Sequence, residues 1–184
     1  MKQKVLIIKT GYCEFLDRGS NLREISFGDV FRTTVILHLY KDHNITWLTS
    51  QEAFPLLEDN PFIKKDRLLP YDFTTAYQLE SEEFDYIINL EKVPGICALS
   101  DRIKARKGRY GFTFDTQTGE AEALENSAEV LAFSASQESK RKNEKTFQEH
   151  LFEVIGKKWN GEEYVLGYKP SSKETYDVGF NIRV

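Results

Sequence analysis

The sequence predicts an α/β protein, a doubly wound and mostly parallel sheet with helices on both faces, and three observations predict it. Val5-Leu6-Ile7-Ile8 and Tyr86-Ile87-Ile88-Asn89-Leu90 are unbroken apolar runs, as strands covered on both faces require. Each is followed, after a turn or loop, by a segment with helical apolar spacing. Shorter runs at Ile45-Thr46-Trp47-Leu48 and Arg67-Leu68-Leu69-Pro70 continue the alternation, which implies right-handed βαβ crossovers. Ligands of such sheets bind beyond the carboxyl ends of the strands.

The first strand ends at Lys9-Thr10-Gly11, and the aperiodic stretch from Tyr12 to Ile25 reads as a long surface loop. Val30, Phe31, Thr34, Val35, Leu37 and Leu39 then give a helix of about three turns, closed by Lys41-Asp42-His43-Asn44. After the second strand, Ser50 caps a short helix through Phe54, Leu56 and Leu57, with Pro55 in its early turns. A short helix over Thr74 to Glu80 separates the third strand from the fourth. Glu91-Lys92-Val93-Pro94-Gly95 turns the chain into a helix from Ile96 to Ile103, and Tyr110-Gly111-Phe112 marks one more strand. Asp115 to Gly119 reads as a hairpin turn and Glu120 to Glu129 as an acidic stretch. A second long helix is expected over Lys140 to Ile155, stopped by Gly156, with a further strand at Glu163 to Tyr168 and another apolar run from Tyr176 to Asn181. No internal repeat or low-complexity linker interrupts the chain.

With 184 residues and 40% hydrophobic content, the chain is long enough for one well-cored domain and too short for two full domains of this class. Cys13 and Cys97 lack the spacing of a redox or zinc pair, which suggests thiols in a reducing compartment. The amino-terminal apolar run is too short for a signal-peptide core or a membrane span, so a cytoplasmic location is expected. A net charge of -4 argues against nucleic acid as a partner.

The candidate site centres on Ser26-Phe27-Gly28-Asp29-Val30-Phe31-Arg32-Thr33-Thr34. Ser26 and Asp29 have the serine-x-x-acid spacing of a helix start, and Gly28 lets a ligand approach the backbone. Asp29 has two readings, a helix-capping acid or a general base facing a cleft. Lys9 and Lys92, at the ends of two apolar strands, are either surface charges or anchors for an anionic sugar or a phosphate. The basic run Arg102, Lys104, Arg106, Lys107 and Arg109 reads either as a solvated helix end or as an attractor for phosphates or an anionic membrane face. His38, His43 and His150 share no ligand spacing, so no metal is expected, and Trp47 reads as core.

The segments Val5-Leu6-Ile7-Ile8-Lys9, Gly28 to Thr34, Ile45 to Thr49, Asp85 to Glu91 and Tyr110-Gly111-Phe112, taken in order, resemble the amino-terminal half of the heptosyltransferases, glycosyltransferase family 9. The resemblance implies the first of two facing Rossmann-like domains of a GT-B enzyme, which holds the acceptor while a sugar passes to it, with inversion, from a nucleotide donor. It implies that Asp29 is the base that deprotonates the acceptor hydroxyl, with Lys9, Gly28, Arg32, Thr33, Glu91 and Lys92 around the acceptor. No metal and no cofactor is implied, and a donor such as ADP-heptose is expected in a carboxyl-terminal domain. The implied partners are a glycan or lipid-linked acceptor of lipopolysaccharide biosynthesis and, peripherally, the inner face of the cytoplasmic membrane. On this view residues 1–176 form the acceptor domain, residues 177–184 begin a donor domain that the chain lacks, and the chain alone is inactive. The chain departs from the family pattern in that ending and in the loop between Tyr12 and Ile25, where a brief turn is usual.

Two other functions compete. A non-catalytic binding or interaction domain would keep the fold without the donor half. A nucleotide-dependent oxidoreductase fits the sheet, but no G-x-G-x-x-G follows the first strand.

Overall fold

A computed structural model describes residues 2–12, 25–128 and 137–167 of the chain. Their strands are β1 (Lys4–Ile8), β2 (Asn44–Thr49), β3 (Leu68–Pro70), β4 (Glu83–Asn89), β5 (Lys104–Phe114) and β6 (Ala121–Ala123). The helices are α1 (Phe27–Thr33), α2 (Leu37–Tyr40), α3 (Phe54–Leu57), α4 (Phe73–Glu80), α5 (Pro94–Arg102), α6 (Gln137–Lys142) and α7 (Phe147–Val154). The sheet order is β3-β2-β1-β4-β5-β6. All neighbouring pairs are parallel except β5 and β6. The chain therefore winds outward from β1 through β2 to β3 and then returns to lay β4 on the other side of β1. The strand order reverses between β1 and β4, and the crevice beyond their carboxyl ends is where such sheets hold ligands.

Alternation along the central strand explains why the sheet is covered twice. Val5 and Ile7 pack in one cluster with Val30, Val35, Ile36 and Leu37 of the α1–α2 region and with Phe152 of α7. Leu6 and Ile8, facing the other way, pack with Leu79 of α4 and with Ile96 and Leu99 of α5. These four of the five β1 residues are fully buried, so a one-residue slip of β1 would exchange the two faces and lose both contact sets. Trp47 is also fully buried, as expected, and its indole Nε1 donates to the carbonyl of Lys9 at 3.2 Å.

The elements differ from the sequence expectation where side chains compete for backbone groups. The helix expected from Val30 to Leu39 is divided by a 3₁₀ turn at Thr34–Ile36. There the Thr33 and Thr34 hydroxyls donate to the carbonyls of Asp29 and Phe31, at 2.8 and 2.7 Å, and such back-bonding disturbs the helical ladder. Thr34 Oγ1 also accepts from the backbone of Val165 at 3.0 Å, which docks the tail segment onto α1. Ser50 caps the turn ahead of α3 by accepting from Ala53 N at 3.2 Å, and it does not cap α3 itself.

The helix expected from Lys140 to Ile155 is two helices. Thr146 and Glu149 form a reciprocal capping box that starts α7 afresh. Gly156, with φ 67°, ends it as expected. The acidic stretch from Glu120 contains β6 and a 3₁₀ turn at Glu125–Ser127. Residues 163–167 carry no strand. Instead the Val165 carbonyl accepts from Asn60 Nδ2 at 2.9 Å, which ties the segment to the end of α3. Most of the expected loop between Tyr12 and Ile25, the run from Tyr176 and the proposed domain boundary at 176 lie outside the described residues.

Candidate active site

The crevice beyond β1 and β4 is built from the Lys9-Thr10-Gly11 turn, the Leu90-to-Val93 turn and the start of α1. Gly11 joins the first to the last. Its φ is 80°, and a Cβ there would meet Val30 Cγ2 at 2.9 Å and the Ser26 carbonyl at 3.0 Å. Only glycine accepts that conformation in that space without strain. The Gly11 carbonyl accepts from Ser26 N at 2.8 Å, and Tyr12 bridges to Ile25 in antiparallel fashion, so the start of α1 is pinned to the end of β1.

Asp29 stands in the first turn of α1, at the carboxyl edge of the sheet. Ser26 caps the helix by accepting from Asp29 N at 3.3 Å. The Asp29 carboxylate accepts from Arg32 Nη2, and its side chain is 35% exposed. Burial pushes its carboxyl up. The charge of Lys9, the hydrogen bond and charge of Arg32 and the Ser26 hydroxyl pull it down by more, so it lies below the ordinary 3.8. Arg32 also donates through Nε to the Gly28 carbonyl at 3.3 Å and lies 4.3 Å from the centre of the Phe147 ring. Asp29 is therefore ionised at neutral pH and partly open to solvent.

Glu91 is the charged group most deeply set in the site, 1% exposed. Its Oε1 accepts from Thr10 N at 2.5 Å, Thr10 Oγ1 at 2.9 Å and Gly11 N at 2.8 Å, and lies 3.5 Å from Lys9 Nζ. Lys9 Nζ donates to the Leu90 carbonyl at 3.3 Å as well. Glu91 is held in turn by Asn89, whose Oδ1 accepts from Glu91 N at 3.1 Å while its Nδ2 donates to the Phe112 carbonyl at 2.8 Å. The buried thiol of Cys97 donates to the Glu91 carbonyl at 3.2 Å. The turn after β1 thus holds the Glu91 carboxylate, while the end of β4 and α5 hold its backbone.

The expected site residues separate by role once placed. Lys9, Glu91, Asp29 and Arg32 gather at the crevice. Thr33 is fully buried with its hydroxyl donated to Asp29 O, so it supports α1 and is not at the surface. Glu91 is likewise interior and braces the turn after β1. Gly28 is exposed, and a Cβ there meets nothing within 4 Å, so no described neighbour requires its lack of a side chain. Lys92 lies on the β5 side, its Nζ 5.7 Å from the centre of the Phe112 ring.

The basic run is at the other edge. Of its members only Arg102 is helical, because β5 begins at Lys104. Arg102 pairs with Glu80, Arg106 with Glu83 and Lys107 with Asp85. Arg109 donates to the Ser100 carbonyl at 2.5 Å. These charges are engaged along the amino-terminal ends of β4 and β5 and the end of α5, away from Asp29. Among the described residues no group of His, Cys, Asp and Glu side chains has the arrangement of a metal site, and no helix is long and apolar enough to cross a membrane.

The sequence reading missed Thr10 and Gly11 as site residues, although Lys-Thr-Gly directly after a buried strand was the available signal. It also missed Tyr12 and Tyr71, which follow β1 and β3 and meet edge to face with ring centroids 5.9 Å apart.

Fold and crevice define a doubly wound α/β protein whose candidate site lies at the reversal of strand order and carries a half-buried carboxylate. Among solved structures, the chain is similar to the E. coli heptosyltransferase WaaC with ADP, at 14% identity and a TM-score of 0.48, covering 88% of this chain and 50% of that one. It is also similar to the same E. coli enzyme with ADP-2-deoxy-2-fluoro heptose, at 12% identity and a TM-score of 0.49, covering 88% and 51%. The likeness is one of fold, and the chain spans about half the length of the solved structures it matches. No protein-family model matches the sequence, and no curated protein does.

Proposed function

We propose that the chain is the acceptor-binding, base-carrying domain of an inverting glycosyltransferase, of the kind that moves a heptose from a nucleotide donor to a lipopolysaccharide precursor. The observation that carries the proposal is the place of Asp29, an ionised, partly exposed carboxylate in the first turn of α1 beside the crevice of the parallel sheet. An acceptor hydroxyl in that crevice gives its proton to Asp29 while its oxygen forms a bond to the anomeric carbon of the donor. The bond from that carbon to the nucleoside diphosphate breaks, and the diphosphate leaves with the electron pair. Arg32 holds the carboxylate in place and lowers its basicity. Covering of the crevice by a donor domain would remove water from Asp29 and raise its basicity again. The domain division at residue 176, the cytoplasmic location and the contact with a membrane face belong to this same proposal.

The test is Asp29→Ala in a protein that carries both this chain and a donor domain. A general base is worth about 10²–10⁴ in rate. Turnover with ADP-heptose and a lipopolysaccharide-core acceptor should fall by about that factor, with acceptor affinity nearly unchanged. An unchanged turnover would remove Asp29 from the chemistry. One observation favours the second reading, a binding domain without chemistry. Arg32 already occupies the Asp29 carboxylate, as a purely capping acid permits. Acceptor binding by the wild-type chain with no transfer in any protein that carries it would favour it.

A further inference from the structure

The turn after β1 is shaped to hold an anion. Two successive backbone N–H groups, those of Thr10 and Gly11, point at one place, and the Thr10 hydroxyl and the Lys9 ammonium group point at it too. Gly11 makes the convergence possible through its left-handed backbone at φ 80°. Such a backbone nest at the reversal point of a parallel sheet is the setting in which nucleotide-binding relatives of this architecture hold a phosphate. Here the place is filled from within by Oε1 of Glu91, at 2.5, 2.8, 2.9 and 3.5 Å from those donors.

We propose that Glu91 is a specificity-determining residue, an internal anion that occupies the nest of Thr10, Gly11 and Lys9 and so closes the end of β1 to the phosphate groups of substrates. Three features make it a fixed occupant. It is 1% exposed, and its own backbone is held by Asn89 and Cys97. Its charge is compensated by Lys9, whose side chain is only 11% exposed and so has little freedom to serve another anion. A phosphate entering the nest would have to displace a carboxylate that carries the same sign of charge and has no solvated position to retreat to. Lys9 therefore does not act as a phosphate anchor. This inference rests on the proposed function for the identity of the ligand and narrows it. The part of the acceptor that meets Asp29 next to β1 is an uncharged, hydroxyl-bearing part, and any phosphate on the same molecule lies elsewhere.

The test uses the 184-residue chain and inorganic pyrophosphate as probe, followed through the amide resonances of Thr10 and Gly11 and through the melting temperature. In the wild type these amides should show no saturable shift. In Glu91→Ala they should shift saturably, with affinity at least about tenfold above any wild-type response, and pyrophosphate should raise the melting temperature of the variant alone. Glu91→Gln keeps the volume and an acceptor oxygen but no charge, and should show a smaller gain in the same direction. It decides the matter if Glu91→Ala does not fold. Saturable binding at these amides in the wild type, or no gain in a folded variant, would overturn the proposal. The readout uses neither Asp29 nor sugar transfer. A failure of the transferase reading with a gain in the Glu91 variants would leave the closed nest standing, and the reverse result would leave the transferase standing.

Discussion

Arg32 Nη2 donates to Asp29 Oδ1 across one turn of α1, and the same guanidinium lies over the ring of Phe147 at the start of α7. Together with the charge of Lys9, the contact holds the Asp29 carboxyl below its ordinary value against the burial that raises it, and it couples a candidate base to the packing of a helix far along the chain.

A titration of the Asp29 carboxyl by NMR should therefore give a midpoint below the ordinary 3.8. In Arg32→Met the midpoint should rise, because the burial that pushes it up remains while one opposing cation is lost. The sign for stability follows from linkage. A group with a depressed native value stabilises the fold above its unfolded value, and that contribution disappears as pH falls through the native one. Acid unfolding should thus be steeper below about pH 3.8 in the wild type than in Arg32→Met. A midpoint at or above 3.8 in the wild type would contradict the ion pair.

Two glycines should behave oppositely. Gly28→Ala places a methyl group in open space on α1 and should leave stability unchanged or raise it by up to about 1 kcal/mol. If an acceptor packs against that backbone, the same change should weaken acceptor binding. Gly111→Ala drives a Cβ into the carbonyl of Asn89 at φ 96°, in the residue that holds Glu91, and should cost about 3 kcal/mol or more in urea unfolding. Equal effects from the two substitutions would show that the tight approach is not where the structure places it.

Thr146→Ala removes half of the reciprocal cap of α7. The expected loss is about 1 kcal/mol, read as a shift of the urea midpoint without a change in slope. Hydrogen exchange should accelerate first at the amides of the first turn of α7. A loss within error of zero would mean that tertiary packing of Leu151 and Phe152 alone fixes where the helix begins.

The basic run should be silent in acceptor recognition. Arg106→Ala and Lys107→Ala break pairs with Glu83 and Asp85 at the edge opposite Asp29, so acceptor titrations should match the wild type. In the same calorimetric series the chain alone should show no saturable binding of ADP-heptose, because the proposed donor site lies in another domain. Tight ADP-heptose binding would place a nucleotide site here and overturn the division of labour proposed for the two domains.

The sequence by itself determined the sheet. Unbroken apolar runs at β1 and β4 have no stable alternative to burial on both faces, and their alternation with helical segments leaves few topologies. It also placed Asp29 at a helix start, because Ser26 and the first-turn acid form a local signal that acts within four residues. Only the tertiary structure decided what the neighbouring residues do. Glu91, Lys9, Thr10 and Gly11 meet across about 80 positions of chain, and their shared hydrogen bonds depend on the parallel register of β1 with β4, which spacing along the sequence does not encode. The break between α6 and α7 and the strand character of the basic run were hidden for the same physical reason. Helical periodicity is a property of a segment, whereas the Thr146 cap and the acids opposite Arg106 and Lys107 act at single positions and across strands.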